Sequence, residues 1–169
     1  MNNSKQLRNR PESLSIKEFT AMLKKHGFFD YDWNNGGQGF NNQFEEQTFN
    51  DVLVVFDKTS NLIWQHDGSS EKMNLEKAKK WVEELNHKGY AGFNDWRLPT
   101  LVEAVSLLNP KAKSLDLFID PIFDKRQWGV WTSDLTEDNS RAWTVSYSLG
   151  GCSSFSFHNT NFVRAVRSL

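Results

Sequence analysis

Apolar residues in the first half of the chain recur at helical spacing behind clear helix starts. Ser15 and Glu18 form a capping box, in which each side chain satisfies the other residue's backbone N–H, and an apolar face then runs to Gly27. Asn74 is predicted to cap a second helix that ends at about Asn86. Two amphipathic helices are therefore expected before residue 90.

A second capping box and two short apolar runs predict further elements. Thr100 and Glu103 form the box, which starts a third helix through Leu108. The apolar runs are Asp51–Asp57 and Leu62–Gln65, and the polar stretch between them is typical of a hairpin turn.

Beyond Pro121 the pattern changes to period two. Apolar residues alternate with small polar residues over positions 143–148, which predicts a strand with one side in the core and the other side outward. Phe162–Arg167 alternates again and is expected to end the chain as a strand. The predicted fold class is α+β, with two to three helices and a mainly antiparallel sheet of short strands.

The length and composition predict one globular domain. The chain has 169 residues, of which 38% are hydrophobic and 24% charged. We expect residues 1–50 to form a helix and a Gly/Asn-rich loop that pack on a domain spanning residues 51–169. Within that loop, Asp32–Asn42 favours a flexible connection over a nucleotide site, because no Gly-Lys-Ser/Thr follows its glycines.

Charge and cysteine content narrow the classes of partner and compartment. The net charge is −1 and no run of Lys and Arg resembles a phosphate-binding stripe, so nucleic acid is not expected. No stretch reaches transmembrane length and the N-terminus lacks the apolar region of a secretory signal, so no membrane contact is expected. The single cysteine, Cys152, excludes an internal disulfide and favours the cytoplasm.

Four motifs resemble one known family. Gly89–Thr100, which has the sequence GYAGFNDWRLPT and is followed by Glu103, resembles the signature of a bacterial family with a C-type-lectin-like fold. That family is often named after the C-terminal domain of a collagen-like adhesin. Three further segments fit it in order: Asp57–Trp64, Trp131–Ser133 followed by Ala142-Trp143, and Val163–Arg167. The resemblance covers about residues 52–169, leaves the N-terminal helix outside, and implies a fold shared with formylglycine-generating enzymes.

The motif residues are interpreted as architecture. Trp96 is expected to be buried, with Asp95 and Arg97 available for charge-assisted hydrogen bonds that lock the loop before the third helix. The set assigned to structure is Asp95, Trp96, Arg97, Pro99, Trp131, Trp143, Arg164 and Arg167.

Motifs for known chemistry of this fold are absent from the sequence. Sugar-binding lectins of this fold hold calcium through Glu-Pro-Asn or Gln-Pro-Asp, and neither occurs here. Formylglycine-generating enzymes use a cysteine pair, which one cysteine does not supply. The four histidines are scattered, and no Ser, His and Asp form a hydrolase motif. We therefore expect no cofactor, no metal and no enzymatic activity.

Two local clusters contain residue types that bind metals. His66 and Asp67 favour a turn, because Asp-Gly follows the histidine. Asp134, Glu137 and Asp138 could hold a cation, and a solvated acidic loop is the favoured interpretation.

The stretch Thr144–Phe162 differs in composition from the rest of the chain. It has no Lys, Arg, Asp or Glu, and it also lacks Gln, Met and Trp. Small polar residues interleaved with aromatic ones resemble the chemistry of antibody paratopes. Every residue in it can be encoded by a codon ending in C or T, which is the set produced when both adenines of an Asn codon are randomised.

The resemblance gives this codon pattern a meaning. The lectin-like family includes variable proteins of diversity-generating retroelements, in which adenine-directed mutagenesis rewrites exposed positions while scaffold residues stay constant. The resemblance thus implies a diversified ligand-binding surface. The alternative is a polar hairpin that lacks charge by coincidence.

We predict a non-catalytic module that binds a ligand, preferentially a protein, through outward positions of the last strands and their loops. In the family the domain also occurs with signalling or conflict-system proteins, so such a partner is among the candidates. Cys152 is expected to be exposed and incidental, since no charged residue or histidine adjoins it in sequence. An adhesin-type module with fixed specificity for glycans and an enzyme using the open face of the fold stay open as alternatives. The predicted contact residues are Thr136, Asp138, Asn139, Arg141, Thr144, Ser146, Ser148, Cys152, Ser153, Phe155, Phe157, His158, Asn159 and Asn161.

Overall fold

Three α-helices and two four-stranded sheets organise the described part of the chain, residues 5–111, 113–114 and 117–169 of a computed structural model. The predicted mixed α+β class is therefore confirmed. None of the helices in these ranges is long and apolar enough to cross a membrane. The helices are α1 (Ile16–His26), α2 (Leu75–His87) and α3 (Leu101–Ser106), with a short 3-10 turn at Tyr90–Gly92.

The strands are short and mostly antiparallel. One sheet has the order β1-β7-β8-β9, the other has the order β10-β4-β3-β2, and β5 pairs with β6 in a small ribbon. The parallel pair among them is β1 with β7. The strand bounds are β1 Ser13–Leu14, β2 Phe44–Phe49, β3 Val52–Asp57, β4 Leu62–Gln65, β5 Lys113–Ser114, β6 Leu117–Phe118, β7 Gly129–Thr136, β8 Arg141–Ser146, β9 Gly151–Ser156 and β10 Val166–Ser168.

The helices begin where the capping residues predict. The Ser15 and Thr100 hydroxyls each accept a hydrogen bond from the backbone N–H of the glutamate three residues later. The carboxylate of that glutamate in turn accepts a hydrogen bond from the backbone N–H of the cap residue. α1 ends at Gly27, whose φ of 67° suits glycine. α3 ends at Ser106, before the predicted Leu108. The backbone N–H groups of Leu107 and Leu108 donate to carbonyls three residues earlier instead of four, which is the 3-10 pattern.

Two hydrophobic clusters lie on opposite faces of the β7–β8–β9 sheet. Val130 and Val145 pair on one face and pack with residues of α1 and α3. Trp131 and Ala142 lie on the other face, in the cluster that includes the apolar residues of α2. Residues 142–145 of β8 are therefore buried on both faces, whereas the period-two pattern predicted one outward side.

The C-terminal segment differs from the predicted alternating strand. Residues 161–166 are all buried, and the strand itself is Val166–Ser168. Before that strand the chain runs through the interior: Asn161 forms a bridge to Met73, and Phe162 forms a parallel bridge to Val130. Because other parts of the chain pack against both sides of this segment, its residues do not alternate between buried and exposed positions.

The strands that the sequence did not predict include β2 and β1. β2 forms six register pairs with β3, although its sequence FEEQTF contains two glutamates. β1 is a two-residue strand beside β7, and it brings the N-terminal segment into the first sheet. Both are edge strands, where exposed polar side chains are tolerated and weaken the apolar alternation that marks a strand.

Candidate ligand-binding surface

The turn between β7 and β8 is organised by the carboxylate of Asp138. It accepts from the Thr136 hydroxyl at 2.7 Å and from the backbone N–H and hydroxyl of Ser140 at 3.1 and 2.8 Å. These bonds stabilise the ionised form, the one from Thr136 most, and lower the pKa of Asp138 to about 2. Asn139 occupies the left-handed region with φ 57°, which Asn tolerates. The turn is thus held in one shape at the surface.

Arg141 connects this turn to the neighbouring strand. It is exposed, and its Nε donates to the Ser154 hydroxyl at 3.0 Å while a terminal nitrogen donates to the Ser154 carbonyl. The guanidinium is therefore oriented along β9. Its backbone pairs with Ser156, so the loop that follows β9 begins beside it.

The loop after β9 presents two further predicted residues. His158 and Asn159 are exposed, and Asn159 N donates to the Ser156 carbonyl at 3.0 Å. The carbonyl of Phe157 accepts from Leu75 N at 3.2 Å, which anchors the loop to the start of α2. We call Thr136–Arg141 together with His158–Asn159 the turn surface.

Phe155 and Phe157 are less available than predicted. Both are half-buried and pack against the cluster under α2. The Phe155 ring meets Trp131 edge to face at 6.0 Å between centroids. Ser153, in contrast, is exposed on β9.

Ser146 and Ser148 lie at the other end of the sheet. Their hydroxyls are 3.1 Å apart, and the Ser146 hydroxyl accepts from Leu149 N at 3.2 Å. Since β8 starts at Arg141 and ends at Ser146, the strand separates the two ends by about 17 Å at ~3.3 Å per residue. The predicted contact residues therefore occupy two regions instead of one patch.

Three predicted outward residues are buried, and their assignment as contact residues was wrong. Thr144, Cys152 and Asn161 are 2%, 9% and 4% exposed. Thr144 pairs with the buried Trp131 across β7 and β8, and Asn161 exchanges two backbone hydrogen bonds with Met73 at 2.8 and 3.0 Å. Covering elements from distant parts of the chain remove these side chains from any ligand.

Cys152 is buried beside an aspartate that is remote in sequence. Its backbone N donates to Asp30 Oδ2 at 2.9 Å, and Asp30 is itself fully buried. Burial first, and then the negative charge of Asp30, raise the pKa of the Cys152 thiol. The expected exposed position was wrong, and the environment disfavours a reactive thiolate.

A cleft of about 500 Å³ adjoins the turn surface. Leu14, Ile16 and Trp143 give it an apolar lining, and its polar rim consists of Ser15, Thr136, Glu137, Asp138, Arg141 and Ser154. The indole N–H of Trp143 is buried and has no acceptor among the described residues. The sequence does not indicate this cleft, because three of its nine lining residues, Leu14, Ser15 and Ile16, come from the N-terminal segment, 120 or more residues away.

The Asp95–Pro99 motif forms part of the framework. Trp96 is buried, as predicted. The charged residues on either side of it do not pair with each other: Arg97 donates both terminal nitrogens to Glu103 at 2.7 and 2.6 Å, and Arg167 donates to Asp95 at 2.6 and 3.1 Å. These pairs connect the loop to α3 and to β10.

The other motif residues also have structural contacts. Trp131 donates its indole N–H to the Met73 carbonyl at 2.7 Å, and the Pro99 carbonyl accepts from Ser133 N at 2.8 Å. The Arg164 guanidinium is buried, donates mainly to backbone carbonyls and lies over the Phe123 ring. Its burial lowers its pKa to about 10.

The acidic trio beside the turn does not form a cation site. Asp134 is fully buried and faces the interior, where Arg8 donates to both of its oxygens at 2.9 and 2.6 Å. Glu137 and Asp138 are exposed on the turn. The interpretation of all three as a solvated loop was therefore wrong for Asp134. Within the described ranges, no group of three or more His, Cys, Asp or Glu could hold a metal ion.

Comparison with known families identifies one match. The family described as the Lcl C-terminal domain matches residues 53–167, which confirms the resemblance predicted from the four motifs. No curated protein matches the chain. The matched range contains β7, β8 and β9 but not α1, the loop after it, or the Leu14 and Ile16 side of the cleft.

Proposed function

Because this chain belongs to the Lcl C-terminal domain family, we propose that it is a non-catalytic, C-type-lectin-like module that binds a protein ligand through its turn surface. The observation that carries the proposal is the internally bonded Asp138 turn beside the 500 Å³ cleft. A turn whose shape is already set loses little conformational entropy when it binds.

The chemistry of the turn surface suits protein recognition. Exposed Asn139, Arg141, His158 and Asn159 offer donors and acceptors, while the neighbouring cleft offers apolar area. Adaptable polar side chains beside a buried apolar anchor site are the arrangement that protein-binding loops use.

Binding can be tested with a displayed library of folded protein fragments selected on the full chain. Selected fragments are expected to lose at least tenfold in affinity for a triple variant with Arg141→Ala, His158→Ala and Asn159→Ala, by titration calorimetry. The matched control replaces three exposed polar residues on α2, Lys77, Lys80 and Glu84, by alanine and should leave affinity within twofold. Equal affinity for both variants would exclude the turn surface. Binding to an immobilised glycan panel, with no fragment selected, would favour the glycan-binding alternative.

We further propose that His158 and Asn159 of the turn surface, together with the exposed Ser153 on β9, are diversified by a retroelement. The support is the codon set of Thr144–Phe162, together with the exposure of Ser153, His158 and Asn159 within it. Diversification is useful only at positions that reach a ligand, so buried positions should stay constant.

This gives a sharp test in the DNA that flanks the gene. We expect a non-coding near-copy of the codons for residues 128–167 beside a reverse-transcriptase gene. Differences from the coding copy should coincide with adenines and fall on exposed codons such as Ser153, His158 and Asn159. The codons for Thr144, Cys152 and Asn161 should match. Absence of the near-copy would leave a binding module of fixed specificity.

A further inference from the structure

Most of the large apolar side chains at the described surface come from segments that contact one another. Six are exposed, and four of them, which we call the apolar band, belong to these segments: Ile16, Tyr31, Trp33 and Leu149, with 55%, 61%, 44% and 75% exposure. The other two are Trp128 and Leu169. Large exposed apolar groups that lie together indicate an interaction site, whereas isolated ones are ordinary.

Contacts connect the members of the band. Tyr31 N donates to the Gly150 carbonyl at 2.9 Å, which places Tyr31 beside Leu149. The Trp33 ring meets Phe19 at 6.1 Å, and Phe19 packs on Trp143 at 4.7 Å. Trp143 and Ile16 line the same cleft, so contacts through the buried rings of Phe19 and Trp143 connect the β8–β9 turn with the turn surface.

The loop that carries the two aromatic residues is held in place by a buried carboxylate. Asp30 accepts from the backbone N–H groups of Asp32 and Trp33, each at 3.0 Å, and from Cys152 N at 2.9 Å. Asp30 also exchanges two backbone bonds with Asn34. The exposed rings are thus presented from a fixed turn, and tryptophan and tyrosine are the residue types enriched at binding hot spots.

The charge along the band favours a basic partner. Asp32 and Glu137 are exposed, and neither has an ion pair within the described ranges. Asp138 adds a third carboxylate at the cleft. Lys17 and Arg141 carry positive charge in the same segments, and the Arg141 guanidinium already donates to Ser154. Ile16 and Leu149 add aliphatic area, which suits a protein side chain better than a sugar ring.

From these observations we propose that the apolar band docks an extended protein segment that carries a large apolar side chain next to a lysine or arginine. The proposal deepens the proposed function, because it rests on protein binding and adds the N-terminal part of the surface and the chemistry of the partner. Three of the four band residues lie outside the range matched by the family, so this contact would be particular to chains that carry this N-terminal segment.

The test selects a displayed library of random twelve-residue linear peptides on the full chain and, in a parallel selection, on a Tyr31→Ser, Leu149→Ser double variant. Enriched peptides should place an apolar residue beside Lys or Arg. A labelled peptide is expected to bind the double variant at least tenfold more weakly by fluorescence anisotropy. Asp32→Asn should weaken binding about threefold and reduce its dependence on salt.

Leu169→Ser is the matched control, because Leu169 is as exposed as Leu149 but lies outside the band; it should change affinity less than twofold. The substituted residues Tyr31, Asp32, Leu149 and Leu169 are all exposed, so the thermal unfolding of these variants should stay near that of the wild type. The inference is overturned if no sequence is enriched over the parallel selection on the double variant, if the peptides are acidic, or if the double variant binds them equally well.

The failures of the two proposals can be separated with the same peptides. Loss of binding in the turn-surface triple variant with full binding in the band variant rejects the band and keeps the turn surface. The reverse result supports the band and rejects the turn surface as the binding site. Binding of a neutral oligosaccharide panel that disappears in Tyr31→Ser would replace the protein occupant by a glycan.

Discussion

The carboxylate of Asp134 joins three separate segments of the chain. It accepts two hydrogen bonds from Arg8, one from Glu12 N at 2.8 Å and one from Leu101 N at 2.8 Å. The carboxylate therefore holds the N-terminal segment and the first turn of α3 against β7. A buried carboxylate with all its acceptor sites filled is costly to alter, because every donor around it loses its partner.

Replacing Asp134 by Ala is expected to destabilise the fold by about 3 kcal/mol, near the lower end of the range for breaking a buried ion pair, since Arg8 keeps partial access to water. Urea denaturation followed by tryptophan fluorescence measures this free energy. Glu76→Ala is the control: it removes an exposed pair with Lys80 and should leave the transition unchanged. Equal midpoints for the two variants would contradict a clamping role for Asp134.

At the scale of elements, local sequence predicts where the helices begin, but it predicts only some of the strands. The two capping boxes form as their residues predict, because each depends on side chains three residues apart. β3 and β4 also form at their apolar runs. β2 could not be predicted in this way, because it is specified by pairing with β3 and not by an apolar pattern of its own.

The two capping boxes should contribute differently to the free energy of unfolding. Thr100 is fully buried, caps a helix of six residues and also donates its hydroxyl to the Arg8 carbonyl at 2.8 Å. Thr100→Ala is expected to lower the free energy of unfolding by about 2 kcal/mol, at the upper end for a lost cap. Ser15→Ala should cost less, because that box lies at the surface and α1 has eleven residues. Urea denaturation of both variants checks the order, and a larger loss for Ser15→Ala would refute it.

For the whole molecule, the N-terminal segment completes the core beneath the first sheet. Leu7, Leu14 and Phe19 belong to the same buried cluster as Trp64 and Trp143. The family match begins at residue 53, beyond all of the N-terminal contributions to this cluster. A chain cut at that boundary would expose the cluster to water.

Truncation to residues 51–169 is therefore expected to abolish cooperative folding. Circular dichroism during heating should show no sharp transition, and amides of β7 and β8 should exchange rapidly with solvent. The control is the full chain with Lys77→Ala, a change at an exposed residue of α2, and it should unfold like the wild type. A truncated chain with the full thermal transition would show that residues 51–169 form an independent unit.

The sequence by itself determined the features that depend on near neighbours: the helix caps, the core side of β8, and the family motifs that build the framework. Tertiary structure decided which of the remaining side chains meet solvent. Thr144 is buried beside Trp131 of β7, while Cys152 and Asn161 are buried against Asp30, 122 positions away, and Met73, which is also remote in sequence. The same long-range packing brings Tyr31 and Trp33 to the edge of the C-terminal strands. Whether a side chain is buried depends on which residues pack against it in space. The alternating pattern along a strand indicates which face lies in the core, but not whether the other face is also covered.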